Sequence, residues 1–370
     1  MADKKYGRHL RKAAFGSPFS FSGFCILMPL HLDLISKAIW HYAYCLFLLQ
    51  LIYLRMNKTI KTPLDNLENL SHLIVDNGAI KLVVPRSPMA IIVSHSLSQT
   101  TMEDYERNRG DQTDQSTVEI PSGVNFPREM RQYRVGHMQV FHMEAQDDSK
   151  PIVLYIHGGA YIHNFESLHW KAMAEWAETT GCGIVSPNYP LLYRYTAVDA
   201  HPLMMQLYQQ LIKQYDAKRI IIMGDSAGGG FTLALAQQVR ENKLELPSRL
   251  VLISPWVDVL GGDDSIQEHD TFLNAEVLRH VGTDWADKMD PRAPMISPLY
   301  GDMQGLPPTD LFVGTWEIFL TDVTSTYDKM KAAGVEAHLH VAEKMGHVYP
   351  LWPCPEGRKA RKEIAQIIIL

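Results

Sequence analysis

From about residue 130 to the end, the chain alternates short apolar runs with longer segments of helical spacing. Pro151-Ile-Val-Leu-Tyr-Ile156, Gly183-Ile-Val-Ser186, Arg219-Ile-Ile-Ile-Met223, Arg249-Leu-Val-Leu-Ile-Ser254, Asp310-Leu-Phe-Val-Gly314 and Ala337-His-Leu-His-Val341 read as strands. Runs that are apolar throughout imply strands covered on both faces, as in a parallel sheet. Tyr133 to Met143 alternates and predicts one more strand. Between the runs, Pro202 to Tyr215 carries Leu203, Leu207, Leu211 and Tyr215 on one helical face, and Thr321 to Ala333 is closed by Gly334. The pattern predicts an α/β protein with a doubly wound, mostly parallel sheet and helices on both faces.

The first third reads differently. Lys4, Lys5, Arg8, Arg11 and Lys12 precede an uncharged apolar run from Ala38 to Leu54, 17 residues long, with Arg55, Lys58 and Lys61 behind it. That length sits at the bottom of the range for a membrane span. An anchor and a helix packed on or capping the main domain both fit, as does translation starting at Met56. Pro63, Pro85, Pro88, Pro121 and Pro127 punctuate the next stretch, where Asp65 to Val75 has the spacing of a short helix. The expected division is 1–61 as an appendage, 62–130 as a boundary or lid segment, and 131–370 as the catalytic domain.

Composition narrows the class. Hydrophobic residues are 46% of the 370 and charged residues 21%, with a formal net charge of −6, so nothing global favours a nucleic-acid partner. Cys25, Cys45, Cys182 and Cys354 are too few and too scattered for a disulfide framework or a zinc site. They read as reduced thiols of a cytoplasmic protein, with membrane association through Ala38 to Leu54 as the alternative; Cys182 reads as a small core residue.

In an open α/β sheet the chemistry sits at the carboxyl ends of the strands. Gly224-Asp225-Ser226-Ala227-Gly228 lies between a strand and a helix-forming stretch. Small residues there permit the sharp turn that exposes a nucleophilic serine, and the helix N-terminus favours developing negative charge. After the Ile156 strand comes His157-Gly158-Gly159-Ala160. A tetrahedral oxyanion needs close backbone N–H donors, and Gly158, Gly159 and Ala227 are the candidates. His157 opens that loop and reads as structural rather than as a base.

A general base should follow Ser226 near the C-terminus, and Gly346-His347-Val348 directly after the last strand supplies it. The acid comes from Gly314-Thr-Trp-Glu317-Ile-Phe-Leu-Thr-Asp322. Glu317, near the strand end, is favoured over Asp322, which suits the first turn of the next helix.

Taken together, His157-Gly-Gly-Ala160, Gly224-Asp-Ser-Ala-Gly-Gly229, Ser297-Pro-Leu299 and Gly346-His347 resemble the hormone-sensitive-lipase-like branch of the α/β-hydrolases, from about Gln132 to the C-terminus. The resemblance implies a serine carboxylic-ester hydrolase acting on small to medium acyl esters, without metal or organic cofactor. It implies a Ser226, Glu317 and His347 triad and oxyanion donors Gly158, Gly159 and Ala227. Where relatives carry two acids closer together, this chain has Glu317 and then Asp322, so the alternative acid stays open. A membrane-associated lipase or steryl-ester deacetylase would use the same site, and a non-catalytic ligand-binding homologue is the third reading. Oligomeric state is not legible.

Overall fold

The inner strands of one sheet are the apolar runs of the sequence. The computed structural model describes residues 72–76, 79–83, 87–96, 101–110 and 116–370. An antiparallel pair, β1 (His72–Asp76) and β2 (Ala79–Val83), comes first, then helices α1 (Pro88–Ser96) and α2 (Met102–Gly110). There follow β3 (Arg131–Val135), β4 (Met138–Met143), β5 (Ile152–Ile156), α3 (Ser167–Thr180), β6 (Gly183–Asn188) and α4 (Ala197–Gln214). The chain continues through β7 (Ile220–Asp225), α5 (Ser226–Glu241), β8 (Arg249–Ile253), α6 (Ala275–Ala286) and β9 (Thr309–Gly314). It ends with α7 (Leu320–Ala332), β10 (Ala337–Ala342) and α8 (Pro355–Ile368).

Eight strands form the main sheet in the order β10-β9-β8-β7-β5-β6-β4-β3. Only β4 runs antiparallel to its neighbours β3 and β6; the other pairs are parallel. Successive side chains of the inner strands enter opposite cores. Leu154, Ile222, Leu252 and Leu311 lie in one, and Val153, Ile221, Val251 and Phe312 in the other. This two-faced burial is why the runs are apolar without alternation. The loops after β5, β7, β8, β9 and β10 therefore open on one edge of the sheet.

Three sequence readings change. Tyr133 to Met143 is not one strand but the hairpin β3–β4, turning between paired Val135 and Met138 with Gly136 at φ +57. A left-handed glycine permits that turn. Asp65 to Val75 is not helical over its described part, because His72–Asp76 pairs with Ala79–Val83. Helix α4 also starts before Pro202, where Thr196 and Asp199 form a capping box.

The segment ahead of the sheet contributes to its packing. Ala90 and Val93 of α1 join a small core with Met345, Tyr349 and Trp352, while Ile120, Val124 and Phe126 pack on the core that holds Trp170 and Trp176. Among the described residues no helix is long and apolar enough to cross a membrane. The Ala38 to Leu54 run, Cys25 and Cys45 lie outside the described residues. Cys182 and Cys354 are buried free thiols. Burial pushes the Cys182 thiol up to about 11, as suits a core residue.

Candidate active site

Strand β7 ends at Asp225 and helix α5 begins at the next residue, so Ser226 carries the whole strand-to-helix turn at φ +52. Such a backbone is costly for a residue with a Cβ and holds only where the surroundings dictate it. Those surroundings are glycine. A Cβ on Gly228 would lie 2.0 Å from the Ile156 carbonyl oxygen, so strand β5 and the start of α5 can approach only without one.

Ser226 Oγ lies 2.9 Å from His347 Nε2, and His347 Nδ1 lies 2.9 Å from Glu317 Oε2. Glu317 is fully buried and His347 is 1% exposed. The second oxygen of Glu317 accepts the Gly314 N–H at 2.9 Å and the Ser254 hydroxyl at 3.0 Å. The carboxylate is thus satisfied without solvent, as a buried charge requires. Sheet order explains the convergence: β7, β8 and β9 are successive neighbours and β10 closes the edge.

Asp322 does not reach this cluster. It lies in the first turn of α7 and accepts the Gly262 N–H at 2.9 Å. Burial, with Asp258 and Asp263 nearby, pushes its carboxyl up to about 6. Glu317, for its part, stands not on β9 but three residues beyond its end at Gly314.

Of the three amides expected to face an oxyanion, that of Gly158 is already committed, because it donates to Asp225 Oδ1 at 3.0 Å. The amides of Gly159, Ala160 and Ala227 take no partner among the described residues. Gly159 at φ +114 and Ala160 at φ +52 turn the loop back on itself. Tyr161 Oη donates to the Ala227 carbonyl at 3.1 Å, and Tyr189 Oη to the His157 carbonyl at 3.0 Å, bracing the loop from both sides.

His157 is a packing residue. Its Nδ1 meets the Gly158 carbonyl at 2.6 Å, its ring stacks on Tyr189, and burial together with neighbouring His169 pushes its pKa down to about 3.

Sequence reasoning missed the group that fixes this loop. Asp225, 2% exposed, accepts hydrogen bonds from Tyr155 Oη at 2.5 Å, from Gly158 N and from His169 Nε2 at 3.2 Å. The Glu166 N–H donates to His169 Nδ1 at 2.8 Å, so the ring proton must sit on Nε2. Burial alone would raise the Asp225 carboxyl; His169 and the hydrogen bonds from His169 and Tyr155 outweigh it and hold the group below the usual range. The only sequence signal is its place beside Ser226. Ser254 and the aromatic layer were likewise missed. In that layer Tyr161 stacks on Trp285 at 4.2 Å between centroids and on Trp256 at 5.5 Å, while Trp256 stacks on Phe319, whose ring meets His347 edge-on at 5.3 Å. Among the described residues no group of His, Cys, Asp or Glu is arranged to hold a metal ion.

Comparison with known proteins bears on the family. A family model described as alpha/beta hydrolase fold matches residues 153–351. An esterase from Acinetobacter venetianus is 31% identical over 248 residues, covering 64% of this chain and 81% of that protein. An acetyl-hydrolase from Streptomyces hygroscopicus is 28% identical over 236 residues, covering 61% and 78%. Among solved structures, an esterase of the bacterial hormone-sensitive lipase family superposes with a TM-score of 0.64 at 25% identity, covering 77% of this chain and 98% of that one. From its sheet, its serine turn and these relatives, the chain belongs to the α/β-hydrolase family, on the hormone-sensitive-lipase-like esterase branch.

Proposed function

We propose that this protein is a serine carboxylic-ester hydrolase in which Ser226 is the nucleophile, His347 the general base and acid, and Glu317 the partner that orients and charges the imidazole. The observation that carries the reading is the unbroken chain Ser226 Oγ, His347 Nε2, His347 Nδ1, Glu317 Oε2, with both gaps at 2.9 Å. His347 takes the serine proton as Oγ attacks the acyl carbon, then passes it to the leaving alkoxide. Water, deprotonated by the same nitrogen, releases the acyl-enzyme. Gly159, Ala160 and Ala227 supply the oxyanion donors, Ala160 replacing Gly158, because a donor spent on Asp225 cannot serve a transient charge. The catalytic domain is taken as 131–370, with 62–130 as a boundary or lid segment.

The substrate is an uncharged ester of small to medium acyl size. The Phe319 ring, which meets His347 edge-on and is backed by the stacked Trp256, supports this, since it sets an apolar wall beside the base. Turnover of p-nitrophenyl esters of increasing chain length by wild type and Ser226→Ala tests the proposal. Wild type should favour the shorter esters, and the variant should lose several orders of magnitude with its fold intact. Wild-type turnover in purified Ser226→Ala would overturn the assignment.

A further inference from the structure

Ser254 follows the last residue of β8, is fully buried, and has φ +44. Its own N–H donates to the Phe312 carbonyl at 2.7 Å, extending the β8–β9 ladder by one bond. Its side chain has left the sheet's logic. Oγ is 3.0 Å from the Val348 amide and 3.0 Å from Glu317 Oε1. Proton direction here follows from valence. A backbone N–H can only donate, so Oγ accepts from Val348, and its single proton goes to the carboxylate.

Val348 directly follows His347 and stands at φ +51, a conformation that a β-branched residue adopts only under constraint. The hydroxyl of Ser254 therefore joins two strained backbones, one after β8 and one after β10, and ties both to the acid that follows β9. These contacts span 63 and 94 residues of sequence. Gly314 N is the other donor to the same carboxylate oxygen, and it is backbone.

We propose that Ser254 is a positioning residue of the triad, its hydroxyl holding the Glu317 carboxylate and the His347 loop in register; this rests on the catalytic reading given above. It touches neither substrate nor the reacting atoms. It acts by supplying one of the donors that hold the carboxylate charge and by fixing the amide next to the base. Without the hydroxyl, the carboxylate leans more heavily on its remaining partner, the imidazolium, and the Val348 turn loses its anchor. Protonation of His347 then becomes easier, so the acid limb of kcat/KM moves to higher pH. The other groups facing His347 are the Phe272 and Phe319 rings and Ser226. Further ionisable groups sit on adjoining loops: Asp270, which accepts the Ile318 N–H, His269, which stacks on Trp316, Glu343 and Lys344 ahead of His347, and Tyr349 after it. All are common to the variants compared.

The test measures kcat, KM and the pH dependence of kcat/KM on p-nitrophenyl acetate for wild type, Ser254→Ala, Ser254→Gly, Ser254→Thr and Ser226→Ala, with thermal unfolding of each. Ser254→Ala and Ser254→Gly should each lose roughly 10- to 100-fold in kcat with little change in KM, and both should show the displaced acid limb. Glycine is the control for backbone strain, since it suits φ +44 best but brings no hydroxyl. Wild-type kcat and pH profile in Ser254→Gly would reduce the position to a turn and overturn the proposal, as would a wild-type Ser254→Ala. Ser254→Thr keeps the hydroxyl on a less favourable backbone. It should lose stability yet keep the wild-type acid limb, and a displaced limb in a folded Ser254→Thr also overturns the proposal, even where the smaller variants do not fold. Activity surviving in Ser226→Ala overturns the triad itself, which is a separate and recognisable outcome.

Discussion

The carboxylate of Asp225 holds the backbone amide of Gly158 at 3.0 Å, and this one bond joins the serine turn to the glycine loop that faces it. The residue preceding the nucleophile thereby sets where the next two amides of that loop point. It also explains why position 158 must be glycine, since a Cβ there would lie 2.3 Å from Asp225 Oδ2 and 2.9 Å from Ser226 Cβ.

Gly158→Ala should therefore act on catalysis more than on folding. Overpacking of this kind costs about 1–3 kcal/mol. Displacing the loop should lower turnover by about 10²-fold or more, the loss seen when one oxyanion donor is removed. Steady-state kinetics beside thermal unfolding of the purified variant checks this, and near-normal turnover would mean that the loop is not held through this contact.

Glu317→Gln keeps the shape of the acid but cannot stabilise the imidazolium, and turnover should fall by about 10³- to 10⁴-fold. Asp322→Asn should leave turnover within a few-fold of wild type, because its carboxylate serves the Gly262 amide and not His347. The reverse pattern in parallel assays would reassign the acid.

Asp322 also makes a prediction about stability. Its folded-state pKa is raised, from 3.8 to about 6, chiefly by burial, so the folded protein binds this proton more tightly than the unfolded chain. The contribution to stability is then most favourable at low pH and declines as pH rises from about 4 to about 6, remaining unfavourable above that. Asp322→Asn removes the titration while its amide oxygen can still accept the Gly262 N–H. Unfolding midpoints across that window should show a shallower decline in the variant, whereas parallel curves would refute the assignment.

At the sheet edge, His340 faces Asp310 through Nε2 at 3.0 Å and Glu363 of α8 through Nδ1 at 2.9 Å. Burial disfavours its charge, but the bonds and charges of Asp310 and Glu363 outweigh it and raise its pKa above 6.5. The stabilisation is complete below the unfolded value and disappears as pH rises through the raised folded one. His340→Gln should consequently lower the unfolding midpoint more at about pH 6 than at about pH 9. An equal loss at both would show that packing on Phe312, not charge, is what the histidine provides.

Much of this architecture is written locally. Two-faced burial requires apolar runs, so five inner strands are legible as text beside the alternating edge strand β10, and the order of serine turn, acid and histidine follows from which loops trail them. Single residues with strict local demands are equally readable, such as the glycines around Ser226 and the histidine after the last strand. The hairpin at β3–β4 was less so, because alternation continues in sequence through a turn that reverses the chain in space. What sequence could not decide is which partner each polar group takes. The Gly158 amide is spent on a residue 67 positions away, the Ser254 proton on one 63 away, and the base meets the nucleophile across 121 residues. A donor can be counted from sequence, but its direction depends on how distant backbones pack, and hydrogen bonds fade steeply with angle and distance. For that reason the chemistry was readable in the sequence, and Glu317 was already favoured over Asp322 there, while the bond that occupies the Gly158 amide and the contacts of Ser254 belong to the tertiary structure.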